Sequence, residues 1–245
     1  MNILVVGGAG YVASIIRPAL EAEHECKYFD RRPVPGRSRQ TIVGDVLDSK
    51  IVARAVRRRD AIVYLALGAS TGRVNRKGYR DDVSEIRSAF AINVGAFYGF
   101  VYAGLEAGVR KFVYASTLNV YDKDIRETAV SERNPTNAWG TYGLSKRCGE
   151  MVCEAAAQHC PEAVVISLRL YGPKTAEHFR IPPKRHRPGM LDARLGPEDT
   201  SKLFLAALAC NRPGAHMIQA SGDVKEERYS HARARRILGW RPVGH

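Results

Sequence analysis

The segment Gly7-x-x-Gly10-x-x-Ala13 constrains this chain more than any other, because of what flanks it. Ahead of it lies Asn2-Ile3-Leu4-Val5-Val6, a short run of strand formers, and behind it a helical pattern runs from Tyr11 to Glu23. In that setting Gly7 permits a tight turn, Gly10 lets the backbone approach a diphosphate, and Ala13 allows close helix–strand packing. The helix N-terminus then offers free N–H groups and a positive dipole end to an anion. A plain strand-to-helix turn is the alternative, and Asp30 weighs against it. It closes a second strand, Cys26 to Phe29, about twenty residues on, where a carboxylate accepts hydrogen bonds from ribose hydroxyls. That pattern favours NAD. Arg31, Arg32, Arg37 and Arg39 stand close behind and suit the 2′-phosphate of NADP, which Asp30 would repel.

The rest of the chain repeats the strand–helix alternation. Strands are expected at Thr41 to Val43, Ala61 to Leu65, Lys111 to Ala115 and Ala163 to Leu168. Helices are expected at Ile51 to Val56, Val83 to Gly108 and Tyr142 to His159, and Pro18 should kink the first helix or cost it a hydrogen bond. Such alternation implies right-handed crossovers and a doubly wound parallel α/β sheet, the Rossmann arrangement, over residues 1–173. After Tyr171 the pattern changes, with Pro173, Pro182, Pro183, Pro188 and Pro197 among many basic residues. A helix from Glu198 to Ala209, a short strand near Met217-Ile218 and a last helix before Leu238-Gly239-Trp240 follow. Residues 174–245 read as a small, loop-rich substrate lobe that partly returns to the main domain.

Composition narrows the classes. At 245 residues and 45% hydrophobic content, the chain can bury one substantial core but not two large ones. No run of side chains reads as the ~20 apolar residues that span a bilayer, and no secretory leader is legible, so a soluble cytoplasmic protein is expected. The five cysteines, Cys26, Cys148, Cys153, Cys160 and Cys210, form no C-x-x-C pair, and His24, His159, His178 and His186 share no ligand spacing. No metal site is expected, and idle thiols suit a reducing compartment. The formal charge of +13 attracts anions. Without a recognisable nucleic-acid module it argues for an anionic small molecule, or for a merely solvated basic surface.

The chemistry concentrates in Tyr142-Gly143-Leu144-Ser145-Lys146. At i and i+4 on a helix, Tyr142 and Lys146 share a face. A free phenol, with a pKa near 10, is too weak an acid to serve as a base at neutral pH, and a neighbouring ammonium together with a cationic nicotinamide is expected to lower it. Thr117 lies just beyond the fifth strand, where the carboxyl ends of such sheets meet ligand, and its hydroxyl can hold a reacting oxygen. Ser116 is its neighbour and rival.

These pieces together resemble the extended short-chain dehydrogenases/reductases, the NAD-dependent epimerase/dehydratase family. The matching segments are Gly7 to Ala13, Gly44-Asp45-Val46, Tyr64-Leu65-Ala66, Asn93-Val94, Phe112 to Tyr121, Tyr142 to Lys146 and Leu168-Arg169-Leu170-Tyr171-Gly172-Pro173, in order over residues 1–173. The resemblance implies an NAD(P)-dependent oxidoreductase or epimerase with Thr117, Tyr142 and Lys146 as catalytic residues. It selects Thr117 over Ser116 because the family's hydroxyl residue lies four before Tyr121. The family's next residue is glycine where this chain has Asp122. Gly7, Gly10, Tyr11, Val12, Asp30 and Arg31 would hold the dinucleotide. Asp45 and Val46 would border the adenine, Leu65, Ala66 and Leu67 would line the cofactor, and Tyr142 and Lys146 would reach its nicotinamide end. Asn93 would position a helix, or simply pack.

Leu118-Asn119 follows the catalytic threonine where the family's dehydratases carry Asp-Glu, which argues against dehydration. About 70 residues follow Pro173, fewer than nucleotide-sugar epimerases use to grip a nucleotide. A small sugar or sugar acid is the expected substrate, as in the similarly short uronate dehydrogenases, whose Arg-Pro-Ala-Leu segment resembles Arg17 to Leu20. Thr117, Asn119 and Arg180 are the substrate-binding candidates, and Lys184, Arg185 and Arg187 add basic options for a carboxylate or phosphate. A nucleotide-sugar epimerase and a non-catalytic NAD(P) sensor are the alternatives. The family further implies a homodimer built on the helices near 83–108 and 142–159.

Overall fold

The computed structural model describes residues 1–68, 82–122, 129–182 and 191–244, with the backbone of Val74–Asn75 and Gly78–Tyr79. Seven parallel strands form the main sheet: β1 (Asn2–Val6), β2 (Glu25–Asp30), β3 (Thr41–Val43), β4 (Ala61–Tyr64), β7 (Lys111–Thr117), β8 (Val164–Leu170) and β9 (Gly214–Ala220). Their order is β3-β2-β1-β4-β7-β8-β9. The short antiparallel pair β5 (Val74–Asn75) and β6 (Gly78–Tyr79) stands apart. The chain's direction across the sheet reverses between β1 and β4, and such a switch point opens a crevice at the strands' carboxyl ends.

Both faces of the sheet are covered, so its strands are nearly all apolar. On β1, Ile3 and Val5 face one core cluster, while Leu4 and Val6 face the other. The first cluster packs under α1 (Tyr11–Glu23), α7 (Pro197–Ala209) and α8 (Ala232–Leu238), with Ile16, Leu20, Leu203, Phe204 and Trp240 buried. The second packs under α2 (Ser49–Ala55), α4 (Phe97–Glu106) and α5 (Thr141–His159), with Val52, Phe97, Phe100 and Cys153 buried. Pro18 is accommodated inside α1, which runs on to Glu23.

Two departures from the sequence reading have clear causes. The strand expected near Met217-Ile218 is seven residues long and pairs with β8 from Val164↔Gly214 to Leu170↔Ala220, so it completes the main sheet. Its interior polar residue hid it: Gln219 is fully buried, with its amide donating to Val130 O and Ser230 O. The helical stretch from 83 to 108 is three pieces, α3 (Val83–Phe90), a π-helical turn at Ala91–Ala96, and α4. By length and composition alone Val83–Glu106 is apolar enough to cross a membrane, contrary to the sequence reading, but here Phe97, Phe100 and Val101 are spent on the core. A π-turn marks a local strain that is often placed at functional sites.

Candidate active site

The glycine turn is shaped by close packing at the switch point. Gly7 has φ of +84°, and a Cβ there would lie 2.7 Å from the Ala66 backbone nitrogen, so a side chain is excluded both by conformation and by contact. Gly7 N–H donates to Phe29 O and Gly10 N–H to Gly7 O, which closes the turn. No side chain caps α1 at Gly10, so the N–H groups of its first turn are left to the cleft beside it. That cleft has a volume of about 600 Å³. Of the residues expected to hold a dinucleotide, Gly7, Gly10, Tyr11, Val12, Asp30, Arg31, Val46, Leu65, Ala66 and Leu67 line it.

The carboxylate of Asp30 accepts Ala9 N–H at 2.9 Å and Arg32 N–H at 3.3 Å, which fixes its direction across the turn. These features fit a dinucleotide: bare amides for a diphosphate, an oriented acceptor for a ribose, and apolar walls. Of the four arginines behind Asp30, only Arg31 and Arg32 line the cleft. Arg37 makes a bidentate pair with Glu21, and Arg39 lends its carbonyl to Lys27. Asp45 is exposed at a turn, accepting Leu47 N–H, and is not among the lining residues.

Thr117 and Tyr142 meet beyond the end of β7. Thr117 Oγ1 accepts Asn119 N–H, and the Thr117 side chain lies near enough to the Tyr142 phenol to favour its ionised form. Gly143 allows the approach, since a Cβ there would sit 2.2 Å from Asn119 O. Ser116 points away, donating to Glu150 at 2.8 Å, so strand alternation itself separates the two hydroxyls. Lys146 is 3% exposed, its ammonium donating to Ala115 O at 2.7 Å and lying over the Tyr114 ring.

Without a nicotinamide in place, burial sets the electrostatics of the pair. Burial pushes the Tyr142 phenol up, and the nearby Thr117 hydroxyl pulls it part of the way back. The Lys146 pKa is instead pushed down to about 7 by burial. Burial therefore works against the charged form of both side chains.

Sequence reasoning named Asn93 as a helix-positioning or packing residue, and missed the other supports beneath these groups. Asn93, in the π-turn, is fully buried, accepts Gly68 N–H and donates to Ser145 Oγ, while Ser145 Oγ donates to Tyr142 O. Asn93 therefore ties the exit of β4 to the helix carrying Tyr142. Below it, Arg169 and Glu150 form a bidentate buried ion pair, joined by Ser116, Ser167 and the Tyr121 hydroxyl. Glu150 lies four after Lys146 and eight after Tyr142, a helical spacing that was readable. Asp122, the departure from the family's glycine, is held through its N–H by Asn137.

The substrate-binding candidates are less assembled. Asn119 is exposed on the turn Leu118–Val120, and Arg180 is exposed at the end of α6 (Ala176–Arg180). Lys184, Arg185 and Arg187 lie outside the described residues. Tyr11 bridges the cleft to this region: its hydroxyl accepts Thr175 N–H at 3.1 Å and meets His178 Nδ1 at 3.4 Å. Arg194 pins the same short helix through the carbonyls of His178, Phe179 and Ile181. Among the described residues no cluster of three or more metal-ligating side chains occurs.

Comparison with known proteins places this geometry. A family model described as the NAD dependent epimerase/dehydratase family matches residues 3–191. A 3-beta-hydroxysteroid dehydrogenase of Mycolicibacterium neoaurum is 35% identical over 125 residues, 49% of this chain, and the match spans only 32% of that protein. An L-arabinose 1-dehydrogenase (NAD(P)(+)) of Haloferax volcanii is 27% identical over 98% of this chain and 96% of its own length. The fold is shared with a short-chain dehydrogenase/reductase superfamily protein from Agrobacterium tumefaciens, solved with bound NAD, at a TM-score of 0.81 and 20% identity, covering 99% of this chain and 92% of that one.

Proposed function

The chain belongs to the NAD-dependent epimerase/dehydratase family, and from that premise we propose that it oxidises a hydroxyl-bearing carbon of a small sugar or sugar acid. The observation that carries this is the meeting of the Thr117 and Tyr142 side chains at the carboxyl end of β7. Lys146 lies one turn further along the same helix, and the glycine-turn cleft opens at the neighbouring strands.

In this reading Gly7, Gly10, Tyr11 and Val12 hold the dinucleotide's diphosphate, and Asp30 accepts from its adenosine ribose, which favours NAD over NADP. Val46 borders the adenine, with Asp45 holding the turn beside it through Leu47 N–H. Leu65, Ala66 and Leu67 wall the cleft, and Lys146 reaches the nicotinamide ribose. Bound there, NAD supplies the hydride acceptor. Thr117 holds the substrate oxygen by its hydroxyl, and Tyr142 Oη takes the proton from that oxygen. Asn119 and Arg180 face the substrate, Arg180 suiting an anionic group. Asn93 and Ser145 keep the helix backbone at Tyr142 in place.

A dehydrogenase is preferred to a nucleotide-sugar epimerase because the L-arabinose dehydrogenase matches this chain nearly end to end. The free thiols suit a reducing compartment, the cytoplasm in this reading. The assembly is a homodimer through the outer faces of α4 and α5, where Tyr98, Tyr102 and Met151 are exposed.

Incubation with NAD and a panel of aldoses and uronic acids tests the reaction, with absorbance followed at the NADH band. Net accumulation of NADH with a sugar or uronic acid is expected. Interconversion of a nucleotide sugar without net reduction would replace the dehydrogenase by the epimerase.

A further inference from the structure

Away from the glycine-turn cleft, three arginines converge on a second cavity. Arg133, Arg233 and Arg236 line a space of about 450 Å³ together with Ser131, Ser230 and Glu132. Arg233 and Arg236 sit one turn apart on α8, and Arg133 comes from the turn at 131–134. Among the described residues none of the three guanidiniums has a carboxylate partner, whereas Arg37, Arg110, Arg169, Arg194 and Arg235 each do. Arg233 Nε is shielded from water and makes no hydrogen bond. A buried donor left without an acceptor costs free energy, and an anion in the cavity would relieve that cost with charge-assisted bonds.

The walls are fixed before any ligand arrives. Gln219 donates to both Val130 O and Ser230 O, and Ser230 N–H donates to Val130 O. Tyr121 OH donates to Ser131 O, and Ser131 N–H is held by Asn134. Glu132, the one acidic side chain in the lining, is turned to the frame, where its Oε1 accepts Gln219 N–H. Arg133 and Arg236 are exposed, so this frame fixes the backbone that carries them, and three guanidiniums without carboxylate partners around a held wall suit a compact polyanion.

We infer that the Arg133–Arg233–Arg236 cavity binds a small phosphate-bearing anion, at a site separate from the dinucleotide cleft. A diphosphate, with about three negative charges near neutral pH, matches three guanidiniums. The site's neighbourhood gives it a route to the chemistry: Tyr121 touches both Ser131 and Arg169, and Arg169 pairs with Glu150 on the helix that carries Tyr142.

Calorimetric titration of the full chain with inorganic pyrophosphate, at saturating NAD so that the first cleft is filled, tests this at 0.15 M salt, an ionic strength at which the Debye length is about 8 Å. Saturable one-to-one binding is expected. Arg233→Ala with Arg236→Ala should weaken it roughly tenfold or more, the loss of charge-assisted contacts. The control Arg54→Ala with Arg57→Ala removes the same charge elsewhere and should leave the binding unchanged. Arg133→Ala, outside any helix, should weaken binding in the same sense and guards against a misfolded α8. Equal weakening by the control pair, absence of saturable binding in the unmodified chain, or tighter binding of citrate than of pyrophosphate would each overturn the assignment.

Discussion

At the scale of single residues, the account turns on groups whose surroundings dictate their chemistry. Asp30 is aimed by two backbone N–H groups, and Arg31 and Arg32 stand beside it. Asp30→Ala should raise the KM for NAD by roughly tenfold or more, the value of a charge-assisted hydrogen bond, and narrow the preference over NADP; steady-state kinetics with both cofactors checks this. Lys146 is pushed down to about 7 by burial. Between that value and its ordinary pKa near 10.4, the unfolded chain holds a proton that the folded chain has released, so stability rises with pH across this window. Without cofactor, the unmodified chain should therefore gain stability over Lys146→Met from pH 7 towards pH 10, read by denaturant unfolding at each pH. Parallel pH curves for the two proteins would contradict it. The catalytic types and their order were legible in the sequence, because Tyr-x-x-x-Lys and the strand-end Thr117 are local patterns. The direction of the Tyr142 shift was not, since it depends on burial by residues far away in the chain.

At the scale of elements, the helix α5 is the common support. It presents Tyr142, Lys146 and Glu150 at successive turns, and Glu150 locks it to β8 through Arg169. Both partners are buried, so removing one leaves an uncompensated charge. Glu150→Gln should cost about 3–5 kcal/mol of stability, and the double change to apolar residues should cost less. Chemical unfolding of the single and double variants measures this, and a single variant as stable as the parent would refute a structural role for the pair. The strands and helices of the first 170 residues were readable because parallel strands buried on both faces give unbroken apolar runs, as in Ala61 to Tyr64. β9 was only half readable, because His216 and Gln219 interrupt its apolar run and only the tertiary frame satisfies the Gln219 amide. The π-turn at Ala91–Ala96 left no local signal, since its cause is the fit of Asn93 between Gly68 and Ser145.

At the scale of the whole molecule, the parallel strands bring the glycine turn after β1 and the Thr117–Tyr142 pair after β7 to the same carboxyl end of the sheet, beside the reversal between β1 and β4. The helix α7 covers the opposite face by packing on α1, and Trp240 closes that core with its indole donating to Asp199 O. The proposed dimer would cover the exposed Tyr98, Tyr102 and Met151. Light scattering coupled to gel filtration should give twice the 27.1 kDa chain mass, and Tyr98→Glu with Tyr102→Glu should return it to one. A monomer in the unmodified protein would remove the dimer from the account. The central claim is that Tyr142 Oη accepts the substrate's proton. The most direct measurement pairs turnover with NAD affinity in Tyr142→Phe, which keeps the ring and deletes the hydroxyl. Turnover should fall by roughly 10²–10⁴-fold, the usual worth of a proton-transfer group, with NAD affinity nearly unchanged. Turnover close to that of the unmodified chain would contradict the claim.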